Sequence, residues 1–353
     1  MNNDGWFSTG GPEPAPLSVS AVGLDGAETD TANYLVALRC ALEDCLESDP
    51  RSLVLGEDVG RMGGAFRVTE GLHDRFGGLR VIDTPLAETA IIGVAIGLAV
   101  RGWRPIAELQ FADFISCGYD QLVNEAAKLH YRFGINVPIV VRCPSGGGMG
   151  AGPFHSQCPE GVFAHIPGLK IVCPGTVQDA YDLLRLAVLD PDPVLFFEQK
   201  ALYRSLSGPF ERRPPSGTLE GGRVLMAGTD VTVVTYGAMV RRALEAAVAV
   251  APDGLAAEVV DLRSLVPLDV DTVTESVART GRLVVVHEDT RSSGIGAEIV
   301  ARLVESDVFY ALDAPVARVT APDTPVPTAE VLEGRYVPSV EAIVDAIRAV
   351  AGA

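Results

Sequence analysis

The sequence predicts an α/β protein built from two consecutive domains. Short apolar runs typical of buried strands alternate with longer segments of helical periodicity, which indicates parallel sheets covered by helices on both faces. A segment rich in proline and glycine, residues 205–222, interrupts the alternation, which then begins again. We therefore expect a first domain over 28–204, a linker over 205–222 and a smaller α/β domain over 223–353.

The first domain follows a leader, residues 1–27, in which Gly, Pro, Ser and Asp occur without a sustained period and which we expect to be disordered. Apolar periodicity then predicts strands and helices in alternation. The expected elements are a helix at 34–46, strands at 52–55 and 81–82, a helix at 88–100, a strand at 104–110, a helix at 114–131, strands at 138–142 and 169–173, a helix at 177–189 and a strand at 194–197.

The second domain repeats the alternation on a smaller scale. Its expected elements are a strand at 231–236, a helix at 240–250, strands at 258–262 and 283–287, and helices at 297–304 and 339–350. These predict a second sheet with its own helical cover.

Charge and composition exclude some classes of function. The chain has 46 acidic and 28 basic residues, and its net charge of −18 repels the phosphate backbone of nucleic acids. No stretch is long and apolar enough to span a bilayer, so we expect no membrane partner. The six cysteines lack the spacing of a zinc site and are expected to be reduced thiols, which indicates a cytoplasmic protein.

Common nucleotide and hydrolase motifs are absent or incomplete. The sequence contains no GxxxxGK[ST] phosphate loop and no GxSxG nucleophile elbow. The glycine run at 146–152 contains one G-x-G-x-x-A match after a predicted strand. A dinucleotide loop must open directly into a helix, whereas Pro153 and Pro159 interrupt any helix here. We therefore do not expect dinucleotide binding.

Glu88 is the acidic residue that local sequence singles out. Thr84 and Pro85 suit the N-cap and first position of a helix, and the residues that follow are apolar on every face, which predicts a buried helix. Gly93 and Gly97 would let another backbone approach it closely. Glu88 is then either an ordinary first-turn glutamate favoured by the helix dipole, or a carboxyl group kept partly protonated for proton transfer. The residues alone leave both interpretations open.

Several blocks together resemble a known family. They are GEDVG at 56–60, DTPLAE at 83–88, ELQFADF at 108–114, DQLVNEAAK at 120–128, the glycine run followed by HSQ at 155–157, and PGLK at 167–170. In these blocks the chain closely resembles the beta subunits of 2-oxo acid dehydrogenases, which are transketolase-like thiamine diphosphate enzymes. The resemblance runs from about residue 30 to the end and implies a pyrimidine-binding domain followed by a small transketolase-type C-terminal domain.

The resemblance implies roles for five residues in cofactor binding. Glu88 matches the glutamate that hydrogen-bonds N1′ of the aminopyrimidine and so promotes loss of the thiazolium C2 proton, which gives the nucleophilic ylid. Glu57 matches a second acid of the same site, and Leu86 and Gln110 match residues that line the pocket. Phe114 matches an aromatic ring beside the pyrimidine, where branched-chain members of the family commonly have Tyr. Phe114 can therefore pack against the ring, but it has no hydroxyl group that could form a hydrogen bond.

The resemblance also implies an active-site histidine and a cation site. His155 matches the histidine that assists acyl transfer to lipoamide, a role that suits a group with a pKa near neutrality. Oxygen atoms of six residues overlie a potassium site of relatives, although Asp190 and Asp192 equally suit a simple turn. These six are Val137, Ile139, Val140, Ala187, Asp190 and Asp192.

One absence defines the expected partner. Thiamine enzymes that hold the diphosphate use a Gly-Asp-Gly segment to bind magnesium, and this chain has none. The resemblance therefore implies half a site, completed by an alpha subunit that holds most of the magnesium shell in a heterotetramer of two alpha and two beta subunits. The other implied partners are a lipoyl-bearing acyltransferase and a small 2-oxo acid.

The substrate and the rival functions stay open at this point. The block at 110–114 favours branched-chain 2-oxo acids, with a pyruvate or acetoin dehydrogenase as the alternative. A stand-alone transketolase or deoxyxylulose-phosphate synthase is disfavoured by the chain length and the missing Gly-Asp-Gly segment. A non-catalytic scaffold that docks the acyltransferase is disfavoured because Glu57, Glu88 and His155 are all present.

Overall fold

The first part of the chain is built from alternating strands and helices in the computed structural model, which describes residues 30–353. Its elements are β1 (Asp30–Asn33), α1 (Tyr34–Ser48), β2 (Ser52–Gly56), α2 (Leu72–Phe76), β3 (Val81–Asp83), α3 (Glu88–Val100), β4 (Arg104–Glu108), α4 (Ala127–Phe133), β5 (Val140–Ser145), α5 (Glu160–Ala164), β6 (Lys170–Val172), α6 (Val177–Leu189), β7 (Val194–Gln199), α7 (Leu202–Ser205) and β8 (Ser207–Phe210). The predicted leader lies outside the described residues.

The second part repeats this organisation. Its elements are β9 (Arg223–Met226), β10 (Val231–Thr235), α8 (Met239–Val250), β11 (Ala257–Asp261), β12 (Ser264–Val266), α9 (Val270–Thr280), β13 (Leu283–Thr290), α10 (Ile295–Val304), β14 (Ala317–Ala321), α11 (Glu330–Tyr336) and α12 (Val340–Ala351). Single 3₁₀ turns connect some of these elements, at Gly152–Phe154, Ala251–Asp253 and Asp307–Ala311.

Two main sheets carry the structure. The larger has the order β12-β6-β7-β5-β4-β2-β3, and all of its strand pairs are parallel except the edge pair of β12 with β6. The smaller has the order β14-β13-β10-β11-β9, with only β9 antiparallel. Because β12 belongs to the second part of the sequence but to the first sheet, the two domains share a sheet edge. The predicted α/β class is confirmed.

Helices cover both faces of the larger sheet, which explains its continuous apolar strands. Every residue of β5 and β7 is buried, as expected for central parallel strands. Helices α1 and α6 pack on one face, and α3 packs on the other. The start of α1 is capped by Asn33, whose side chain accepts a hydrogen bond from the Val36 N–H, and Thr176 caps α6 in the same way. The predicted bounds of α6 are confirmed.

The predicted helix at 114–131 is wrong, because this stretch is broken into three pieces. A 3₁₀-helix at Ala112–Gly118 is followed by a π-helix at Gln121–Ala126 and then by α4. A Cβ at Gly118 would overlap the Ile92 side chain of α3. The two segments thus approach more closely than regular helices allow, and irregular turns accommodate the contact.

The predicted range of α3, 88–100, is confirmed, but its predicted cap is wrong. The helix begins at Glu88, and Ala87 precedes it without a side-chain cap. Thr84 lies outside the helix, where its N–H donates to the carbonyl of Gly56 at 2.9 Å and ties the segment to the end of β2. Because that backbone bond fixes Thr84 beside the sheet, neither Thr84 nor Pro85 can serve as a helix cap.

The helix α3 is not buried on every face, contrary to the prediction. Ile92 and Ile96 lie in the core, but Val94 is 53 % exposed. A Cβ at Gly97 would meet no atom within 4 Å among residues 30–353 beyond its own stretch of the helix. One apolar side of α3 is therefore left uncovered by these residues.

Part of the predicted linker is ordered as a strand. Ser207–Phe210 forms β8 and pairs antiparallel with β1, with Ala32 opposite Gly208. Pro209 is tolerated because this is a two-stranded edge ribbon. None of the helices between residues 30 and 353 has the length and apolarity that crossing a membrane requires. All six cysteines are free thiols.

Candidate active site

Four neighbouring parallel strands end at one edge of the larger sheet, and residues predicted to be functional follow each of them. Glu57 follows β2, Glu88 follows β3, Gln110 follows β4 and His155 follows β5. These strands lie side by side in the order β5-β4-β2-β3. The carboxyl edge of parallel strands is where α/β proteins form their binding crevices.

Glu57 and Glu88 form a pair of acids at this edge. Glu57 is only 6 % exposed, and its Oε1 has no hydrogen-bond partner within the described part of the chain. Burial raises the pKa of Glu57, and the nearby charge of Glu88 raises it further, whereas the Ala87 N–H lowers it. Glu88 is half-buried at the first turn of α3. The pair therefore offers a carboxyl group that a hydrogen-bonding ligand would satisfy.

Gln110 extends the site from this pair. Its side-chain Nε2 donates to Oδ2 of Asp58 at 2.9 Å. Asp58 adopts a positive φ of 58°, which lies in the left-handed region that residues with side chains seldom occupy. This turn directly follows Glu57, and the hydrogen bond therefore fixes Gln110 beside the acid pair.

Aromatic rings surround His155. Its ring centroid lies 4.6 Å from that of Phe111 and 5.5 Å from that of Phe114, both edge to face. The two phenylalanine rings are 5.7 Å apart. The buried ammonium group of Lys200 lies 5.6 Å from the Phe111 ring centre, within the range of a cation–π contact. The predicted residues Phe114 and His155 thus belong to one cluster.

A chain of contacts joins the acid pair to this cluster. It runs from Glu88 and Glu57 through Asp58 to Gln110, and along the backbone from Gln110 to Phe111. Leu86 is the exception among the predicted residues. Its side chain is 79 % exposed, so it lines no pocket formed by residues 30–353.

The geometry fits a planar heteroaromatic ring with a basic nitrogen. The unpartnered Oε1 of Glu57 and the neighbouring Glu88 suit a ring nitrogen that gains or shares a proton. The aromatic side chains of Phe111 and Phe114, at the other end of this chain of contacts, suit ring packing. Within residues 30–353, no group of three or more His, Cys, Asp or Glu side chains is arranged to hold a metal ion.

The residues predicted to hold potassium lie at the opposite end of the same sheet. The carbonyl groups of Val137, Ile139 and Ala187 each accept a backbone hydrogen bond. Both carboxylate oxygens of Asp190 lie 2.8 Å from the Lys170 ammonium nitrogen, and Asp192 lies 3.4 Å from it. Lys170 therefore pairs with both acids, and the potassium site, which also includes Val140, stays a prediction.

Sequence reasoning missed several residues at this edge. Lys200 follows β7, and Glu288 lies near the end of β13, so the position of strand ends could have indicated both. Phe111 lies inside the block at 108–114 that carries the resemblance, but no role was predicted for it. Glu333 gave no local signal, because its contact with the glycine run is made across 183 residues of sequence.

Comparison with known proteins places both halves of the chain. Residues 30–205 match the model of the transketolase pyrimidine binding domain, and residues 221–343 match that of the transketolase C-terminal domain. A solved split-gene transketolase, described as an inactive beta4 tetramer, superposes with a TM-score of 0.73 at 24 % identity, covering 91 % of this chain and 98 % of its own. The predicted transketolase-like fold is confirmed.

Curated relatives are similar over nearly their full length. The 2-oxoisovalerate dehydrogenase subunit beta of Bacillus subtilis is 45 % identical over 322 residues, which cover 90 % of this chain and 98 % of the relative. The 3-methyl-2-oxobutanoate dehydrogenase subunit beta of Mycobacterium tuberculosis is 46 % identical, covering 91 % and 92 %. The pyruvate dehydrogenase E1 component subunit beta of Leifsonia xyli is 45 % identical, covering 88 % and 92 %.

Proposed function

This chain belongs to the family of transketolase-like beta subunits of 2-oxo acid dehydrogenases, and from that premise we propose that it supplies the pyrimidine-binding half of a thiamine diphosphate site. The observation that carries the proposal is the acid pair. Glu57 is buried with one oxygen unpartnered, and Glu88 lies close enough for its charge to raise the pKa of Glu57. A buried, unsatisfied carboxyl group costs stability, which a bound ligand would recover.

Each residue from the acid pair to the aromatic cluster has a proposed role. Thiamine diphosphate, when bound, supplies the carbon nucleophile that adds to a 2-oxo acid and accepts the electron pair released by decarboxylation. Glu88 shares a proton with the N1′ nitrogen of the pyrimidine, and burial together with the charge of Glu88 raises the pKa of Glu57 and so favours its protonated form. Phe111 and Phe114 pack beside the reacting groups and hold His155. His155 moves a proton during acyl transfer to the lipoyl group.

The outward face of α3 supports an obligate partner. Leu86, two residues before Glu88, and Val94, on the same helix as Glu88, are exposed, and Gly97 leaves room for a close backbone approach. We expect the alpha subunit to cover this region and to hold the diphosphate, most of the magnesium shell and the rest of the cofactor. The working species is then a heterotetramer of two alpha and two beta subunits, and the isolated chain self-associates. The six free thiols favour a cytoplasmic location.

The favoured substrates are branched-chain 2-oxo acids. Relatives named for 2-oxoisovalerate and 3-methyl-2-oxobutanoate support this choice. A pyruvate dehydrogenase beta subunit is 45 % identical, and an acetoin oxidoreductase beta subunit from Cupriavidus necator is 44 % identical. Overall identity thus separates the alternatives poorly, and pyruvate and acetoin remain the rival substrates.

A scaffold subunit without catalytic residues is the rival function of another class. Such a subunit would only dock the acyltransferase and would gain nothing from the buried Glu57 beside Glu88. Its carboxyl pair would lower stability without compensation, because like charges near a buried acid raise the cost of ionisation. The acid pair therefore favours the catalytic role.

The proposal is tested by reconstituting the complex with its alpha subunit and the lipoyl-bearing acyltransferase. Reduction of an artificial electron acceptor is measured with branched-chain 2-oxo acids, pyruvate and acetoin as substrates, and acylation of the lipoyl domain is measured separately. We expect turnover that requires both subunits and is fastest with a branched-chain 2-oxo acid. If a Glu57→Ala, Glu88→Ala double variant supports the same turnover as the native chain, the chain is a scaffold and the proposal is wrong.

A further inference from the structure

The glycine run between β5 and His155 lies against the second domain. Gly146, Gly148, Gly150 and Gly152 all have φ between +66° and +92°, a region that residues with side chains rarely adopt. A Cβ at Gly147 would lie 3.1 Å from Oε1 of Glu333, and one at Gly152 would lie 2.6 Å from Oγ1 of Thr328. Close contact between the domains therefore explains why glycine occupies these positions, and dinucleotide binding is not needed to explain them.

Two carboxylates of the second domain hold this loop by its backbone. Oε1 of Glu288, in β13, accepts a hydrogen bond from the Gly147 N–H at 2.5 Å. Oε2 of Glu333, in α11, accepts one from the Gly150 N–H at 2.7 Å. Hydrogen bonds from backbone N–H groups to a carboxylate are stronger than those between neutral groups. The loop is thus clamped at two points from the second domain.

The clamp is costly to build. Glu288 is 5 % exposed and Glu333 is 2 % exposed. Burial raises the pKa of Glu288, and the charge of Glu333 raises it further, whereas Lys200 and Arg242 lower it. Neutral acceptors would hold a purely structural loop at lower cost, because buried charges lose more hydration free energy than buried amides. The charge and burial of the clamp therefore indicate that the loop must be held firmly.

The far end of the loop is fixed beside the aromatic cluster. The Gly146 N–H donates to the carbonyl of Gln157 at 3.1 Å, which closes the loop on itself. The side chain of Gln157 donates to Oδ1 of Asp113 at 2.9 Å, next to Phe114. His155 lies within this closed segment, between the clamped glycines and Gln157. A shift of the loop therefore has to move the histidine.

We propose that Glu288 and Glu333 are positioning residues, which clamp the glycine loop by its backbone and thereby hold His155 against Phe111 and Phe114. The second domain then sets the place of a histidine that belongs to the first. The loop clamp itself is independent of the reaction, whereas its effect on turnover rests on the proposed role of His155 in acyl transfer.

The test uses the complex assembled with the alpha subunit. Hydrogen–deuterium exchange of the peptide covering 146–157 is compared between the native complex and Glu333→Ala. The lost hydrogen bond is expected to speed exchange in this peptide by about tenfold. In the same variant, kcat for acylation of the lipoyl domain is expected to fall about tenfold, whereas decarboxylation with an artificial acceptor changes by less than about twofold.

Matched variants separate positioning from general destabilisation. Glu333→Gln keeps an acceptor oxygen for Gly150 and should restore slow exchange and most of the acylation rate. Glu330→Ala removes an exposed carboxylate from the same helix and should change neither quantity. If Glu333→Ala does not assemble, Glu333→Asp, which keeps the charge but draws it back from Gly150, should show the same pattern at smaller size. Native exchange in Glu333→Ala, or in Glu333→Asp where the alanine variant does not assemble, overturns the clamp whatever the two rates are.

His155→Ala distinguishes failure of the clamp from failure of the proposed function. If this variant slows decarboxylation and acylation equally, the role proposed for His155 is wrong, and the exchange measurement alone decides on the clamp. A second outcome tests the link between the clamp and the histidine. If His155→Ala abolishes acylation, but Glu333→Ala speeds hydrogen exchange and leaves acylation unchanged, the inferred link is overturned.

Discussion

Two pairs of glutamates in this protein have opposite surroundings. Glu288 and Glu333 lie between the domains, where they accept backbone hydrogen bonds from Gly147 and Gly150. Glu57 and Glu88 lie at the carboxyl edge of the larger sheet, where one oxygen of Glu57 has no partner in residues 30–353. Both acids of the first pair thus already bind backbone N–H groups of the loop, although Oε1 of Glu333 also lacks a partner in residues 30–353. The second pair holds no loop and is left open at the sheet edge.

This difference separates what the chain does alone from what it does with a partner. The first pair fixes structure, because its hydrogen bonds to the loop exist before any ligand arrives. The free oxygen of Glu57 can gain a hydrogen bond from a ligand, and the exposed apolar side chains of Leu86 and Val94, on the segment that carries Glu88, suit burial by another subunit. We therefore expect changes at Glu57 and Glu88 to affect the first chemical step, and changes at Glu288 and Glu333 to affect the loop and, through His155, acyl transfer. Changes at buried acids outside both pairs should affect stability alone.

The largest effect is expected for Glu88→Gln. The amide keeps the size of the side chain but cannot exchange a proton with N1′, so turnover should fall by roughly 10²–10⁴-fold, as for a lost acid–base group. Stability should change by only ~0.3–1 kcal/mol, the usual contribution of a first-turn acid. Exchange of the thiazolium C2 proton, followed by NMR in the complex, should slow in parallel.

The matched control is Glu298→Gln, which changes an acid in the first turn of α10, away from the site. This variant should turn over normally. A Glu88→Gln complex that exchanges the C2 proton and turns over like the native one would show that Glu88 is an ordinary helix-start glutamate.

The next effect is expected for His155→Ala. Loss of a positioned proton carrier should slow acylation of the lipoyl domain by about 10²-fold. Decarboxylation with an artificial acceptor should change by less than about fivefold, because the acid pair proposed to act in that step is intact. His165→Ala, an exposed histidine ten residues further on, provides the control. Equal losses in the two assays would assign His155 to substrate binding instead.

A smaller effect is expected when a charge is placed on the outward face of α3. In Val94→Glu the new carboxylate would lose its hydration in the proposed subunit contact, so assembly with the alpha subunit should weaken by at least about tenfold. Light scattering measures the assembly. Val248→Glu, at an exposed position of α8 in the other domain, should assemble normally. Native assembly of Val94→Glu would place the interface elsewhere.

The smallest effect is expected at Asp261, a buried acid outside both glutamate pairs. Burial, and secondarily the charge of Asp179, raises the pKa of Asp261 to about 8. The folded state therefore holds a proton that the unfolded chain has lost above about pH 4. Since the folded pKa is the higher one, stability is greatest at low pH and is lost as the pH rises through this window towards 8.

Asp261→Asn removes this titration but keeps an oxygen for the hydrogen bond from the Arg263 N–H. The fall in Tm between pH 6 and pH 9 should therefore be smaller in the variant, by about 2–4 °C. Turnover at pH 7 should be unchanged. A loss of turnover without any change in the pH dependence of Tm would show that Asp261 takes part in catalysis.

Local sequence predicted those parts of the structure that depend on local physics. Helix α6 has the predicted bounds because Thr176 caps it and its apolar periodicity is uninterrupted. The acid pair was predicted through the resemblance, and the structure brings Glu57 and Glu88 together. The break at Gly118 was not predictable, because it arises from contact with Ile92 in another helix. The clamp by Glu333 is equally non-local, and the exposure of Leu86 depends on which surfaces this chain leaves uncovered.

The central claim is that this chain holds only half of a thiamine diphosphate site, and calorimetry tests it most directly. Thiamine diphosphate with magnesium is titrated into the purified chain alone and into the chain combined with its alpha subunit. The account predicts no binding tighter than about 1 mM for the chain alone, and binding at least about 10²-fold tighter with the partner. Tight, magnesium-dependent binding by the isolated chain would contradict it.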